Sequence, residues 1–96
     1  MKIDFSQKLK TLTGETFKMD DKEILLSEMC VDALLATEQN EPIGGQEKMK
    51  RWEIAKKIHN KEEVEITSEE ITLIKERVGK ILITPIVGSI NDLLEA

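Results

Sequence analysis

Thr67-Ser68-Glu69-Glu70 constrains this chain more than any other stretch. A threonine that can accept from the amide three residues on, answered by a glutamate that can reach back to the threonine amide, is a capping box. Ile66 just before it and Ile71 just after it are placed for a hydrophobic staple, which fixes the angle at which the chain enters the helix. The spacing predicts a helix burying Ile71, Ile74, Val78 and Ile81 and exposing Lys75, Glu76 and Lys80. Replacing Thr67 by alanine should cost roughly 1 kcal/mol. Pro85 lacks a backbone donor and clashes one turn back, so this helix ends or kinks between Leu82 and Thr84. Thr84 then caps a last helix with Pro85 in its first turn and Ile86, Ile90, Leu93 and Leu94 as its apolar stripe.

The first twenty residues alternate instead. Ile3, Phe5 and Leu9 share odd positions, as do Phe17 and Met19, and Thr13-Gly14 lies between the two groups. Alternation puts such residues on one face of a strand, and glycine supplies the positive φ of a tight turn. This predicts a β-hairpin from residues 2–10 and 15–19. Two readings fit residues 20–28. Asp20 caps one helix over 21–36, or Asp21-Lys22 is a turn, Glu23 to Leu26 a third strand and Ser27 the cap; the second is slightly favoured. Residues 37–45, with Pro42 and Gly44-Gly45, read as a loop. A helix from about Gln46 to His59 follows, with Met49, Trp52, Ala55 and Ile58 stepping down its apolar face beside Ile54, and Asn60-Lys61 at its end. The β-branched alternation of Val64-Glu65-Ile66 suggests a short added strand.

These elements define an α+β fold: a small N-terminal β-hairpin or three-stranded antiparallel sheet packed on three to four helices, the C-terminal pair forming the main core. Ninety-six residues make one domain, β-rich over 1–26 and helical over 27–96. With Phe5, Phe17 and Trp52 the only aromatics, the core must be aliphatic. A single cysteine allows no internal disulfide; Cys30, within Met29-Cys30-Val31, reads as a small buried hydrophobe in a reducing compartment. Neither a signal-peptide pattern nor an apolar run near the ~20 residues of a membrane span is visible, so a cytoplasmic location without membrane contact is expected.

Reactive chemistry is sparse. Cys30 and His59 are the only conceivable nucleophilic dyad, and nothing in the spacing brings them together. His59, near a lysine-rich helix end, more simply meets the helix dipole. Asp20, Asp21, Glu23 and Glu28 lack the spacing and central glycine of a calcium loop, and zinc would need further Cys or His ligands. No catalytic residue, metal or cofactor is therefore assigned.

One basic island stands in a chain of net charge −5: Lys48, Lys50, Arg51, Lys56, Lys57 and Lys61 against Glu53. At about 100° per residue these cations scatter around the helix, which suits a solvated face better than a nucleic-acid stripe. The same residues could meet an acidic protein partner. Residues 68–95 have the order of a helix-turn-helix, but the second helix offers only Ser89 and Asn91 as base readers and carries Asp92 and Glu95.

The strings ALLA (33–36), GGQEKMKRWEIAKKIHN (44–60) and VEITSEEITLIKERVGKILITPIVGSINDLLE (64–95) resemble a set of small phage and prophage proteins of about this length. The resemblance implies a phage context, with host-cell cytoplasm as the location, and no chemistry or site residues. The expectation is a non-enzymatic phage or prophage accessory protein acting through protein–protein binding, with Lys48, Lys50, Arg51, Lys56 and Lys57 as candidate partner-binding residues. Self-association is expected to help, since a small core gains from burying an extra face. The alternative is a nucleic-acid-binding regulator using the basic helix 46–61.

Overall fold

The computed structural model describes residues 1–36, 44–59 and 61–95. In chain order the elements are β1 (Lys2–Ile3), β2 (Lys18–Met19), β3 (Lys22–Glu23), α1 (Leu26–Leu35), α2 (Gly45–Ile58), β4 (Val64–Glu65), α3 (Ser68–Ile81) and α4 (Thr84–Glu95). The class is α+β, with two antiparallel two-stranded sheets, β1–β4 and β2–β3. The buried aliphatics form one cluster, and α1 packs against both α2 and α3 while α4 packs on α3. The core is thus centred on α1, not on the C-terminal helix pair.

The N-terminal region departs from the expected 2–10/15–19 hairpin. Lys2 and Ile3 pair instead with Glu65 and Val64, which sets the buried Ile3 opposite the buried Val64. Of the predicted pairing the Lys10–Thr16 bridge and the Phe17-to-Leu9 backbone bond remain, around a turn where Gly14 adopts φ +92°. The regular hairpin is β2–β3, turned by Asp20 and Asp21 at φ 51° and 65°. Two successive positive φ values match the twist of a two-residue hairpin, and aspartate tolerates them. Met19, expected inward, is exposed.

Three extended pieces also close a ring of backbone hydrogen bonds. Leu9 donates to Ile24 (2.9 Å), Ile24 to Phe17 (3.1 Å) and Phe17 to Leu9 (2.8 Å). This satisfies the backbone around Leu9 and Ile24, both buried, without a three-stranded sheet.

Helix α1 begins after Leu25, whose side chain cannot cap, so neither Asp20 nor Ser27 is the N-cap. The free amides of the first turn go to a neighbouring segment: Leu26 donates to Gln7 (2.8 Å) and Ser27 to Phe5 (2.9 Å). Ser27 is buried, with its hydroxyl lacking a hydrogen-bond partner among the described residues.

At the other end of α1 there is no basic residue in the last turn. Arg77 of α3 supplies one. It is 2 % exposed, and it donates from Nε to the Ala33 carbonyl (3.2 Å) and from Nη2 to the Ala36 carbonyl (2.8 Å). A guanidinium thus meets orphan carbonyls and the negative end of the helix dipole together.

Helix α3 follows its sequence closely. The Glu70 amide donates to Thr67 Oγ1 (3.1 Å) and the Thr67 amide to Glu70 Oε1 (2.9 Å), completing the capping box. Ile66 and Ile71 are both buried. Helix α3 stops at Leu82, as Pro85 requires, but Thr84 is the first residue of α4 and not its cap. The Ile83 carbonyl instead accepts from Ile86 (3.1 Å) and Val87 (3.0 Å). Of the expected loop at 37–45, residues 37–43 with Pro42 lie outside the described residues, as does Asn60; Gly44 is the N-cap of α2 and Gly45 its first residue.

Candidate functional site

The inward face of α2 consists of Arg51, Ile54, Ala55 and Ile58. Met49 and Trp52 are 53 % and 47 % exposed, which corrects their expected place in the core. The two rows lie on nearly opposite sides of the helix. The inner row is held against α1, and the aliphatic stem of Arg51 fills the position a hydrophobe would otherwise take. Trp52 and Met49 are left on the outer surface of the molecule.

This placement divides the basic island. Arg51 is buried beside Glu47, Nε to Oε1 3.6 Å. Lys57 donates to Glu70 at 2.8 Å, and Lys56 lies 3.9 Å from Glu53. Lys48 and Lys50 are exposed and form no ion pair among the described residues. The candidate partner-binding residues therefore do not make one surface: Lys48 and Lys56 flank Trp52, one turn on either side, while Lys50 points to a groove between α2 and α3.

The groove encloses about 950 Å³. Met49, Lys50, Glu53 and Ile54 of α2 line one wall, and Glu69, Thr72, Leu73 and Glu76 of α3 line the other. The α3 residues follow the i, i+3, i+4, i+7 spacing of one helix face, adjacent to the buried face that carries Ile74 and Arg77. At one end Glu70 ties the helices together, its carboxylate accepting from both the Thr67 amide and Lys57 Nζ. Partial burial works against the Glu70 charge, but the bonds from Lys57 and the Thr67 amide prevail and hold its carboxyl below the ordinary range.

The other sequence candidates are placed elsewhere. Cys30 is buried on α1, and desolvation pushes its thiol up to about 12, so it is a neutral thiol at physiological pH. His59 is exposed at the end of α2, and neither residue lines the groove. Among the described residues no three His, Cys, Asp or Glu side chains gather as a metal site, and no helix is long and apolar enough to cross a membrane. In α4, Ser89 Oγ accepts from the Lys10 amide (3.0 Å) and Asn91 Nδ2 donates to the Val87 carbonyl (2.9 Å), so both would-be base readers are occupied internally.

The groove was not legible beforehand, because it arises from the packing of two helices on α1. Of its α3 wall only Glu76 is expected on the exposed side from the sequence; the signal for the rest is the shared helical spacing of Glu69, Leu73 and Glu76. No protein-family model, curated protein or solved structure matches this chain.

Proposed function

We propose that this protein is a non-enzymatic binding module whose working surface is the outer side of α2 and the adjoining groove. The observation that carries this reading is Trp52, half exposed on α2, three residues from the equally exposed Met49 on the groove wall. Tryptophan offers a large rigid contact area and is the residue type most enriched where protein interfaces concentrate their energy. Lys48 and Lys56 on either side provide charge for orientation. The phage or prophage accessory setting, and the host cytoplasm as its location, belong to the same proposal and rest on the resemblance quoted above.

The test is quantitative capture of partners by the tagged full chain and by its Trp52→Ala variant. A protein held by the parent and weakened at least about tenfold by the substitution, with circular dichroism unchanged, is the expected result. Identical capture by both, or capture of nothing, removes the reading. Light scattering on the same samples gives the molar mass, and a strict monomer at high concentration removes self-association from it.

A further inference from the structure

We infer that the groove between α2 and α3 takes an amphipathic helix carrying positive charge, supplied by a partner protein. This deepens the binding role proposed above and rests on it. The floor is aliphatic, with Ile54 buried and Met49 and Leu73 bordering it. An apolar floor between two helical walls is a geometry in which a third helix lays its apolar stripe.

The sign of the occupant follows from the carboxylates. Glu47, Glu53 and Glu70 are each partnered by a cation of this chain: Arg51, Lys56 and Lys57. Glu69 and Glu76 are exposed and in no ion pair among the described residues. Lys50 on the α2 wall, the one groove-lining lysine among the described residues, is likewise in no ion pair there and offsets only one of the two, so the α3 wall stays negative. They stand seven residues apart on the groove face of α3, on either side of Leu73, which is about 10.5 Å along the helix axis. A helix with lysine or arginine at positions seven apart and leucine between repeats that spacing and matches both charges. The chain's net charge of −5 also favours a cationic visitor over a second copy of itself.

The probe is a synthetic amphipathic peptide of leucine and lysine, about 18 residues long to exceed the span of α3. Its controls are a scrambled peptide of identical composition and a leucine–glutamate peptide of the same pattern. Affinity is read by fluorescence anisotropy and location by amide chemical shifts of the full chain. The patterned leucine–lysine peptide should bind at least about tenfold tighter than either control, with shifts centred on Met49, Glu69, Leu73 and Glu76, and should weaken with added salt. Glu69→Lys with Glu76→Lys, both exposed and so compatible with folding, should reduce affinity at least tenfold; Leu73→Asn should do so without altering charge.

Equal binding of patterned and scrambled peptides, affinity unmoved by the double charge reversal, or shifts outside the groove would overturn the inference. Concentration-dependent shifts at the same residues without peptide would also overturn it, by assigning the groove to a second copy. Preference for the leucine–glutamate peptide with shifts around Trp52 and Lys48 overturns the cationic occupant and leaves the binding role standing. Loss of the binding role is read separately, from Trp52→Ala in the capture experiment.

Discussion

Helices α1 and α3 lie against each other in the core, yet their ends are secured in opposite ways. The start of α3 is secured by two residues within its own first turn, Thr67 and Glu70. The start of α1 depends on carbonyls of Phe5 and Gln7, about twenty residues earlier, and its end on Arg77, 41 to 44 residues later. One helix carries its boundary conditions with it. The other has them imposed by the fold. The contrast teaches that a helix lacking caps in its own sequence can still have groups at both ends met by polar atoms from elsewhere in the fold.

The largest effect that could break this contrast lies at Arg77. Arg77→Ala leaves two carbonyls at the end of α1 without their cation and opens space in the core, and should cost about 3 kcal/mol in urea unfolding. Arg77→Lys should recover little of it, because one ammonium does not reproduce the two-pronged guanidinium contact. A loss under about 1 kcal/mol would mean that α1 does not depend on its neighbour. Thr67→Ala tests the local side and should lower stability by about 1 kcal/mol, measured the same way.

Glu70 adds a pH signature to the local cap. Its carboxyl is held below the ordinary range in the folded state, so its stabilising contribution is complete above the unfolded value near pH 4.3. It is lost as pH falls through the lower folded value. Glu70→Gln should therefore lower the melting temperature at pH 7, and the gap to the parent should close on acidification. A gap that stays constant from pH 7 to below 4 would sink this assignment.

The smallest effect is the most discriminating in sign. If Ser27 capped α1, Ser27→Ala would destabilise by about 1 kcal/mol. With its hydroxyl buried and without a partner among the described residues, the same change should leave stability unaltered or raise it by up to about 1 kcal/mol.

The same division separates what the sequence disclosed from what it did not. The capping box, the stop before Pro85 and the stripe of Ile86, Ile90, Leu93 and Leu94, of which all but the half-buried Leu93 are buried, are local signals, and each was readable. The partner of Lys2 and Ile3 lies beyond residue 60, where no alternation pattern can point. On α2, two apolar rows competed. Choosing Met49 and Trp52 failed because the inward row is decided by α1, not by the content of α2. Arg51 and Arg77 both stand in phase with the buried aliphatics of their helices. That phase was the available clue that their guanidinium groups face inward. Of the groove's outer carboxylates only Glu76 was legible as exposed, and the groove's depth depends on α2 and α3 both packing on α1.

The reach of Arg77 bears on how the chain is made. During synthesis α1 leaves the ribosome more than forty residues before the side chain that closes its last turn. A nascent chain from which α1 has emerged but Arg77 has not has the Leu26–Leu35 helix complete in sequence, with its last turn still lacking that guanidinium. Completion of that helix is thus a late event of translation, although its own residues emerge early.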